Sequence, residues 1–204
     1  MVIQHEQGFK QSTDWKSNRG LMPSPPNGVK MTDYQVIPEI DVLIATGHFL
    51  AQRGLQLDQF SVPRGKGMDT KSAKNRIFRT FCSTPGFVSY FVNEGPDIIG
   101  ASETEWWQIE CKGSGSGKQQ TQRNNFDRAL ASVVSYYGED VKQLPESCII
   151  AQAYLGLALP ASPAYLNELK RRVRQPLRKI LNMWVLLYEP KSEKVRAVSP
   201  DDSY

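Results

Sequence analysis

The chain has 204 residues, of which 40% are hydrophobic and 23% charged, with a net charge of +4 and a pI of about 8.9. That composition excludes a disordered low-complexity chain and fits one globular domain with its own core. Mild basicity permits a phosphate-bearing partner without requiring one. Cys82, Cys111 and Cys148 form no CxxC pair, and His5 and His48 are the only histidines, so neither a zinc centre nor a disulfide framework is expected. No apolar run approaches the roughly 18 residues of a membrane span, and the N-terminus lacks a signal-peptide core, so a cytoplasmic protein with no membrane contact is expected.

Residues 1–33 are polar and interrupted. Met22-Pro23-Ser24-Pro25-Pro26-Asn27-Gly28 can sustain neither helix nor ladder, because proline lacks the amide donor and glycine loosens the backbone. This stretch reads as an extended arm, with Trp15 as its anchor, ahead of a domain over 34–204. A helix is predicted to begin near Ile37-Pro38-Glu39, with Pro38 in its first turn. Ile40, Leu43, Ile44, Leu50 and Ala51 form its apolar stripe, and Arg53-Gly54 closes it. Gln56 to Val62 reads as a short strand.

Pro63 to Arg79 carries Arg64, Lys66, Lys71, Lys74, Arg76 and Arg79 against a single acid, Asp69, with Gly65 and Gly67 between. It reads as a basic loop, either solvated or lying along a phosphate backbone. Phe87 to Val92 is predicted as a strand, Asn93 to Pro96 as a turn, Asp97 to Gly100 as a second strand and Trp106 to Lys112 as a third. Gly113 to Lys118 reads as a flexible connection. It fails as a nucleotide-binding loop, because Gly113 and Gly117 enclose three residues where four are needed, and Gln119 follows Lys118.

Gln122 to Tyr137 is predicted as a helix with Phe126, Ala129, Leu130, Val133, Val134 and Tyr137 inward. Cys148 to Tyr154 reads as a buried strand. Pro163 to Leu181 reads as a helix that Pro176 should kink or break. Its Lys170, Arg171, Arg172, Arg174, Arg178 and Lys179 suggest a basic face, solvated by preference or else touching a nucleic-acid backbone. Met183 to Tyr188 and Lys194 to Val198 form a closing hairpin, and the last residues are expected to fray.

One constellation carries chemistry. Twelve residues separate Asp97 from Glu110, and Lys112 follows Glu110 after Cys111. Alternation along a strand puts Glu110 and Lys112 on one face and Cys111 on the other. An acid-x-lysine triplet recurs in the chain, for example at Asp14-Trp15-Lys16, Asp69-Thr70-Lys71, Asp140-Val141-Lys142 and Glu189-Pro190-Lys191. Among these, Glu110-Cys111-Lys112 ends an apolar strand with a Pro-Asp strand start upstream and a helix downstream. Elsewhere the triplet reads as a surface ion pair of little energetic worth. Here the two carboxylates suit Mg²⁺, a hard cation that prefers oxygen ligands, and the backbone carbonyl of Cys111 could add another oxygen. Lys112 would orient an attacking water or offset charge developing on phosphorus.

Pro96-Asp97, Glu110-x-Lys112 on an apolar strand, and a helix bearing Phe126-Asp127-Arg128-Ala129-Leu130 and Tyr136 together resemble the PD-(D/E)XK nuclease superfamily. The resemblance implies an α/β fold with a mixed central sheet flanked by helices. Its core would be restriction endonuclease-like (helix, three strands, helix, strand) over about 37–155, followed by a C-terminal helix and hairpin. It implies a metal-dependent nuclease in which Asp97 and Glu110 bind Mg²⁺, or Mn²⁺ as a substitute, and Lys112 is catalytic, with DNA as the expected substrate. Some members add a glutamate from the first helix, and Glu39 occupies that place, although an acid there is also ordinary dipole complementation. Some relatives carry glutamine four residues before the tyrosine, where this chain has Ser132. Cutting both strands of a duplex needs two sites, which allows a homodimer. The alternative is a nucleic-acid-binding or assembly subunit that keeps the fold without cutting.

Overall fold

The computed structural model describes residues 36–62, 69–87, 90–115, 119–138 and 152–204. The expected N-terminal arm with Trp15, the glycines and basic residues of 63–68, Lys118, Asp140 and Cys148 lie outside the described residues. The described residues belong to one unit, Tyr34–Tyr204. Its elements are α1 (Glu39–Gln52), β1 (Gln56–Ser61), α2 (Thr70–Phe81), β2 (Phe91–Val92), β3 (Ile98–Ala101), β4 (Glu105–Cys111), α3 (Gln119–Ser135), β5 (Gln152–Pro160), α4 (Pro163–Arg172), α5 (Gln175–Leu181), β6 (Met183–Glu189) and β7 (Lys194–Val198).

The fold is α/β, with a seven-stranded mixed sheet in the order β2-β1-β3-β4-β5-β6-β7. β1, β3 and β4 pair antiparallel, β4, β5 and β6 pair parallel, and β7 closes antiparallel on β6. Helices must return the chain between parallel strands. α3 does so from β4 to β5, and α4 with α5 from β5 to β6. The two-residue period of the strands divides the core between the two faces of the sheet. Trp107, Ile109, Cys111, Ala158, Leu186 and Tyr188 pack with α1 and α2. Leu155, Leu157, Leu159, Met183, Val185 and Leu187 pack with α3, α4 and α5.

Several elements differ from the sequence reading, each for a physical reason. Thr70–Phe81 is a helix, not part of a basic loop. Asp69 caps it by accepting the Ser72 N–H at 3.0 Å, and Ala73, Ile77 and Phe81 supply a buried stripe at every fourth position. Phe81 seats against α1 where Gly47 leaves room, since a Cβ on Gly47 would lie 2.6 Å from the Phe81 ring. Among the described residues of the expected Phe87–Val92 strand, Phe91–Val92 joins the sheet as a strand, parallel to β1 at its edge, and β1 itself takes the place beside β3. β5 runs on to Pro160, because Leu155 to Pro160 pair along β6.

Pro38 precedes the first turn of α1 instead of lying within it. Val134 and Tyr137 are exposed while Tyr136 is buried, so the inward stripe of α3 turns one residue earlier than expected. The predicted break near Pro176 falls at Val173–Arg174, and Pro176 starts α5. The basic residues of this segment divide: Lys170, Arg171, Arg174 and Lys179 are exposed, as a solvated face requires, while Arg172 and Arg178 are drawn into contacts. Arg178 is fully buried and donates to the carbonyls of Ser199 and Asp202, and Arg172 pairs with Asp127 and Glu168. The C-terminus is therefore tied down, with the Tyr204 hydroxyl donating to the Val173 carbonyl at 2.7 Å. Among the described residues no helix is long and apolar enough to cross a membrane.

Candidate active site

Four elements bring the ionisable residues together at one end of the sheet. β3 and β4 pair through Ile98↔Ile109, so Asp97, one step before β3, stands across from Glu110 near the end of β4. Facing side chains on antiparallel strands start about 5 Å apart at Cβ, which lets two carboxylates meet. Asp97 is held in place by the strand it faces, its Oδ2 accepting the Cys111 N–H at 2.7 Å. Its other oxygen, Oδ1, has no protein donor among the described residues.

Lys112 follows the last residue of β4, and its amide donates to the Ala158 carbonyl on β5 at 2.9 Å. Its Nζ lies 2.6 Å from Oε2 of Glu39, the first residue of α1. The fourth contribution comes from the end of α3. The Tyr136 hydroxyl donates to Oε2 of Glu110 at 2.7 Å, and the Ser132 hydroxyl, one turn earlier, favours the ionised form of Glu110 more weakly.

A short backbone clamp sets Glu39 against Lys112. The Ile37 N–H donates to the Ser114 carbonyl at 3.1 Å, and the Ser114 N–H returns to the Ile37 carbonyl at 2.9 Å. The entrance of α1 is thus pinned to the exit of β4. Gly113 is required there, because a Cβ would fall 2.4 Å from the Ile37 carbonyl oxygen and 2.6 Å from the Glu39 nitrogen. The Tyr165 hydroxyl, from α4, donates to the Gly113 carbonyl at 2.8 Å and closes the clamp from the other side. Gly113 and Ser114, expected to be part of a flexible connection, are therefore held by hydrogen bonds.

The charges are crowded. Burial and then the charge of Glu110 push the Asp97 carboxyl well above the usual range, against the opposing Cys111 N–H. Burial raises Glu110 as well, despite the Tyr136 hydrogen bond and the Lys112 charge, which favour its ionised form. Burial works against the charge on Lys112, but Glu39, Asp97 and Glu110 outweigh it and hold the ammonium above its usual value. Burial, followed by the charge of Glu110, keeps the Tyr136 hydroxyl protonated and able to donate. Three acids thus surround one lysine, and a cation could relieve their repulsion.

Two side-chain carboxylates and the Cys111 carbonyl are the oxygens this arrangement can offer a metal. The Cys111 thiol is buried on the opposite face, pushed up by burial and the neighbouring acids, and serves as core packing. Among the described residues no three His, Cys, Asp or Glu side chains form a ligand cluster. Mg²⁺ does not need one, because it retains several waters and is commonly held by one or two carboxylates.

The structure brings together Asp97, Glu110, Lys112 and Glu39. Sequence reasoning missed the Glu39–Lys112 contact and the Ile37–Ser114 clamp that makes it. Among the described residues, the other acid-x-lysine triplets do not converge in this way. Glu189 ends β6 before a turn, and a further copy, Glu168-Leu169-Lys170, lies on α4, where Glu168 binds Arg171 and Arg172. Trp106 and Trp107 are both buried, which removes them as base-stacking surfaces. His48 is exposed against Phe81, with ring centroids 4.8 Å apart. No family model, curated protein or solved structure matches the chain.

Proposed function

We propose that the protein is a Mg²⁺-dependent nuclease that hydrolyses phosphodiester bonds, with DNA as its substrate, on a restriction endonuclease-like core. The observation that carries this reading is the cross-strand pair Asp97 and Glu110, both raised in pKa, beside a lysine held in its charged form. α1, β1, β3, β4, α3 and β5 would constitute the helix, three strands, helix and strand of that core, with α2 and β2 inserted after its first strand. Perturbed ionisable groups gathered in one place are the ordinary mark of a reactive site.

Asp97 and Glu110 would hold the ion, together with the Cys111 carbonyl. Bound Mg²⁺ would neutralise phosphate charge and lower the pKa of a coordinated water. Tyr136 orients Glu110, and the Cys111 amide orients Asp97, so both carboxylates are positioned before any ligand arrives. Lys112 supplies a fixed positive charge for the oxygen that becomes more negative as phosphorus is attacked. Glu39 positions Lys112.

The test uses supercoiled plasmid and single-stranded DNA, incubated with the protein in Mg²⁺ or Mn²⁺. Cleavage is expected, and both Asp97→Ala and Lys112→Ala should abolish it. DNA binding without metal-dependent cleavage by the wild type would overturn the enzymatic reading.

A further inference from the structure

Two buried polar side chains beside the carboxylate pair are left unpartnered by the fold. Phe60, Val62, Ile98, Trp107 and Ile109 pack with α1 and α2 on one face of the sheet. Strand alternation therefore turns Ser61, Asp97, Gln108 and Glu110 to the other face. The register places these four relative to one another. Phe60 pairs with Ile98 and Ile98 with Ile109, and the Ser61 N–H donates to the Asp97 carbonyl at 2.8 Å. Ser61, Asp97 and Glu110 thus form one row across β1, β3 and β4, with neighbouring strands about 4.8 Å apart. Gln108 lies two residues before Glu110 on β4, about 7 Å along the strand. Asp97 has Ser61 on one flank, and Glu110 has Gln108 behind it.

Ser61 is 7% exposed and Gln108 4%. Among the described residues neither side chain has a hydrogen-bond partner. A buried hydroxyl or amide without a partner carries a desolvation cost, and native interiors rarely keep one without a reason. Packing supplies none for Gln108. Its cross-strand neighbours are Ile99 and Leu155, beside which a methionine would fill the same space. The site next to it does supply a reason. An ion held by Asp97, Glu110 and the Cys111 carbonyl has about three of its six octahedral positions left for water or substrate, and Mg²⁺ gives up its waters reluctantly. Waters on a cation are strong donors and need acceptors. The carboxylates are committed to the ion, to Tyr136 and to the Cys111 N–H. The Ser61 hydroxyl oxygen and the Gln108 amide oxygen are neutral acceptors on the same face.

We propose that Ser61 and Gln108 are positioning residues that accept hydrogen bonds from the waters kept by a Mg²⁺ ion at Asp97 and Glu110. The proposal rests on the metal site of the nuclease reading. It extends that site from two carboxylates to a four-residue polar patch drawn from β1, β3 and β4.

The test combines isothermal titration of the full chain with MgCl₂ and urea unfolding in EDTA, for the wild type, Ser61→Ala, Gln108→Met and Gln59→Leu. Groups that hold a metal's ligands in place contribute about 10–100-fold in affinity. Ser61→Ala and Gln108→Met should each weaken Mg²⁺ binding at least tenfold. In EDTA the urea midpoint should stay level for Ser61→Ala and stay level or rise for Gln108→Met, whereas loss of a structural contact would lower it. Gln59, opposite Ile99 on the same face, lies two strands from Glu110, and Gln59→Leu should bind Mg²⁺ as the wild type does. Unchanged Mg²⁺ affinity in either folded variant would overturn the proposal and leave the nuclease reading in place. So would a Gln108→Met midpoint that falls in EDTA. A wild type that binds no Mg²⁺ would overturn both. If Mg²⁺ binding needs Ser61 and Gln108 but the wild type does not cleave DNA, the nuclease reading fails and this assignment stands.

Discussion

Tyr136→Phe removes one hydroxyl and leaves the ring in its packed position. That hydroxyl donates to Oε2 of Glu110 at 2.7 Å, and its loss removes a stabiliser of the ionised carboxylate alone. A hydrogen bond to a charged group is worth about 1.5–3 kcal/mol. Glu110 is partly solvated, so the low end applies, about 1.5 kcal/mol after screening. Glu110 already sits above the usual carboxylate range because burial outweighs its donors. The substitution moves it further up.

A metal must displace the proton, so this cost appears as weaker binding. Below the midpoint, Mg²⁺ affinity should fall about tenfold, and the midpoint of its pH dependence should move to higher pH. Stability follows the same sign. A raised carboxyl favours folding at low pH and loses that contribution as pH rises through the folded value. The metal-free variant should therefore match the wild type in acid and fall below it in alkali. Isothermal titration with Mg²⁺ at several pH values reads the first effect, and urea unfolding in EDTA reads the second. A folded Tyr136→Phe protein whose Mg²⁺ midpoint stays in place would refute the assignment of Tyr136 as the donor that holds Glu110.

Asp97→Asn keeps an acceptor for the Cys111 N–H but removes the buried charge. Asp97 is raised by burial and by Glu110, so metal-free wild type should lose stability as pH climbs through that elevated value. Melting temperatures in EDTA should fall less steeply with pH for Asp97→Asn, and Mg²⁺ should no longer raise them; parallel curves would contradict the burial argument. Gly113→Ala places a Cβ 2.4 Å from the Ile37 carbonyl oxygen, a backbone atom that cannot step aside. Urea titration should show a loss of about 3 kcal/mol, the upper end for overpacking, and a loss below about 1 kcal/mol would mean that the clamp is soft. Arg178→Met strands the carbonyls of Ser199 and Asp202 and removes the cation that lies 4.6 Å from the Tyr204 ring centroid. It should cost about 3 kcal/mol. It should also expose the C-terminal residues to carboxypeptidase, and an unchanged digestion rate would show that Tyr204 alone anchors them.

The elements that periodicity could reach were legible in the sequence. α1, β4, α3 and the β6–β7 hairpin carry apolar spacing strong enough to outweigh their polar residues. α2 was not, because four cations dominate its twelve residues and only three apolar positions mark the buried side. Asp69, at its N-cap, was the available signal. The order of strands was hidden for a different reason. β1 pairs with β3 across an intervening helix and edge strand, and no local pattern encodes that partnership. The C-terminal arginines looked like surface because charge is usually solvated, yet Arg178 is buried by carbonyls that only the folded tail presents.

The candidate site divides along the same line. Asp97 and Glu110 could be paired from the sequence because two short strands and a short loop leave few registers. Glu39 and Lys112 could not, since their contact depends on Ile37 meeting Ser114, 77 residues away. Ser132 shows why residue identity is a weaker guide than donor position. A glutamine was the expected side chain one turn before Tyr136, and the serine read as a departure. In the fold the donor to Glu110 is Tyr136 itself, and Ser132, one turn earlier, adds only a weaker pull toward the ionised carboxylate. What Glu110 requires there is a donor within reach, and the Tyr136 hydroxyl meets that requirement at 2.7 Å. The departure changes the reach of the side chain and leaves the electrostatics of the carboxylate pair intact.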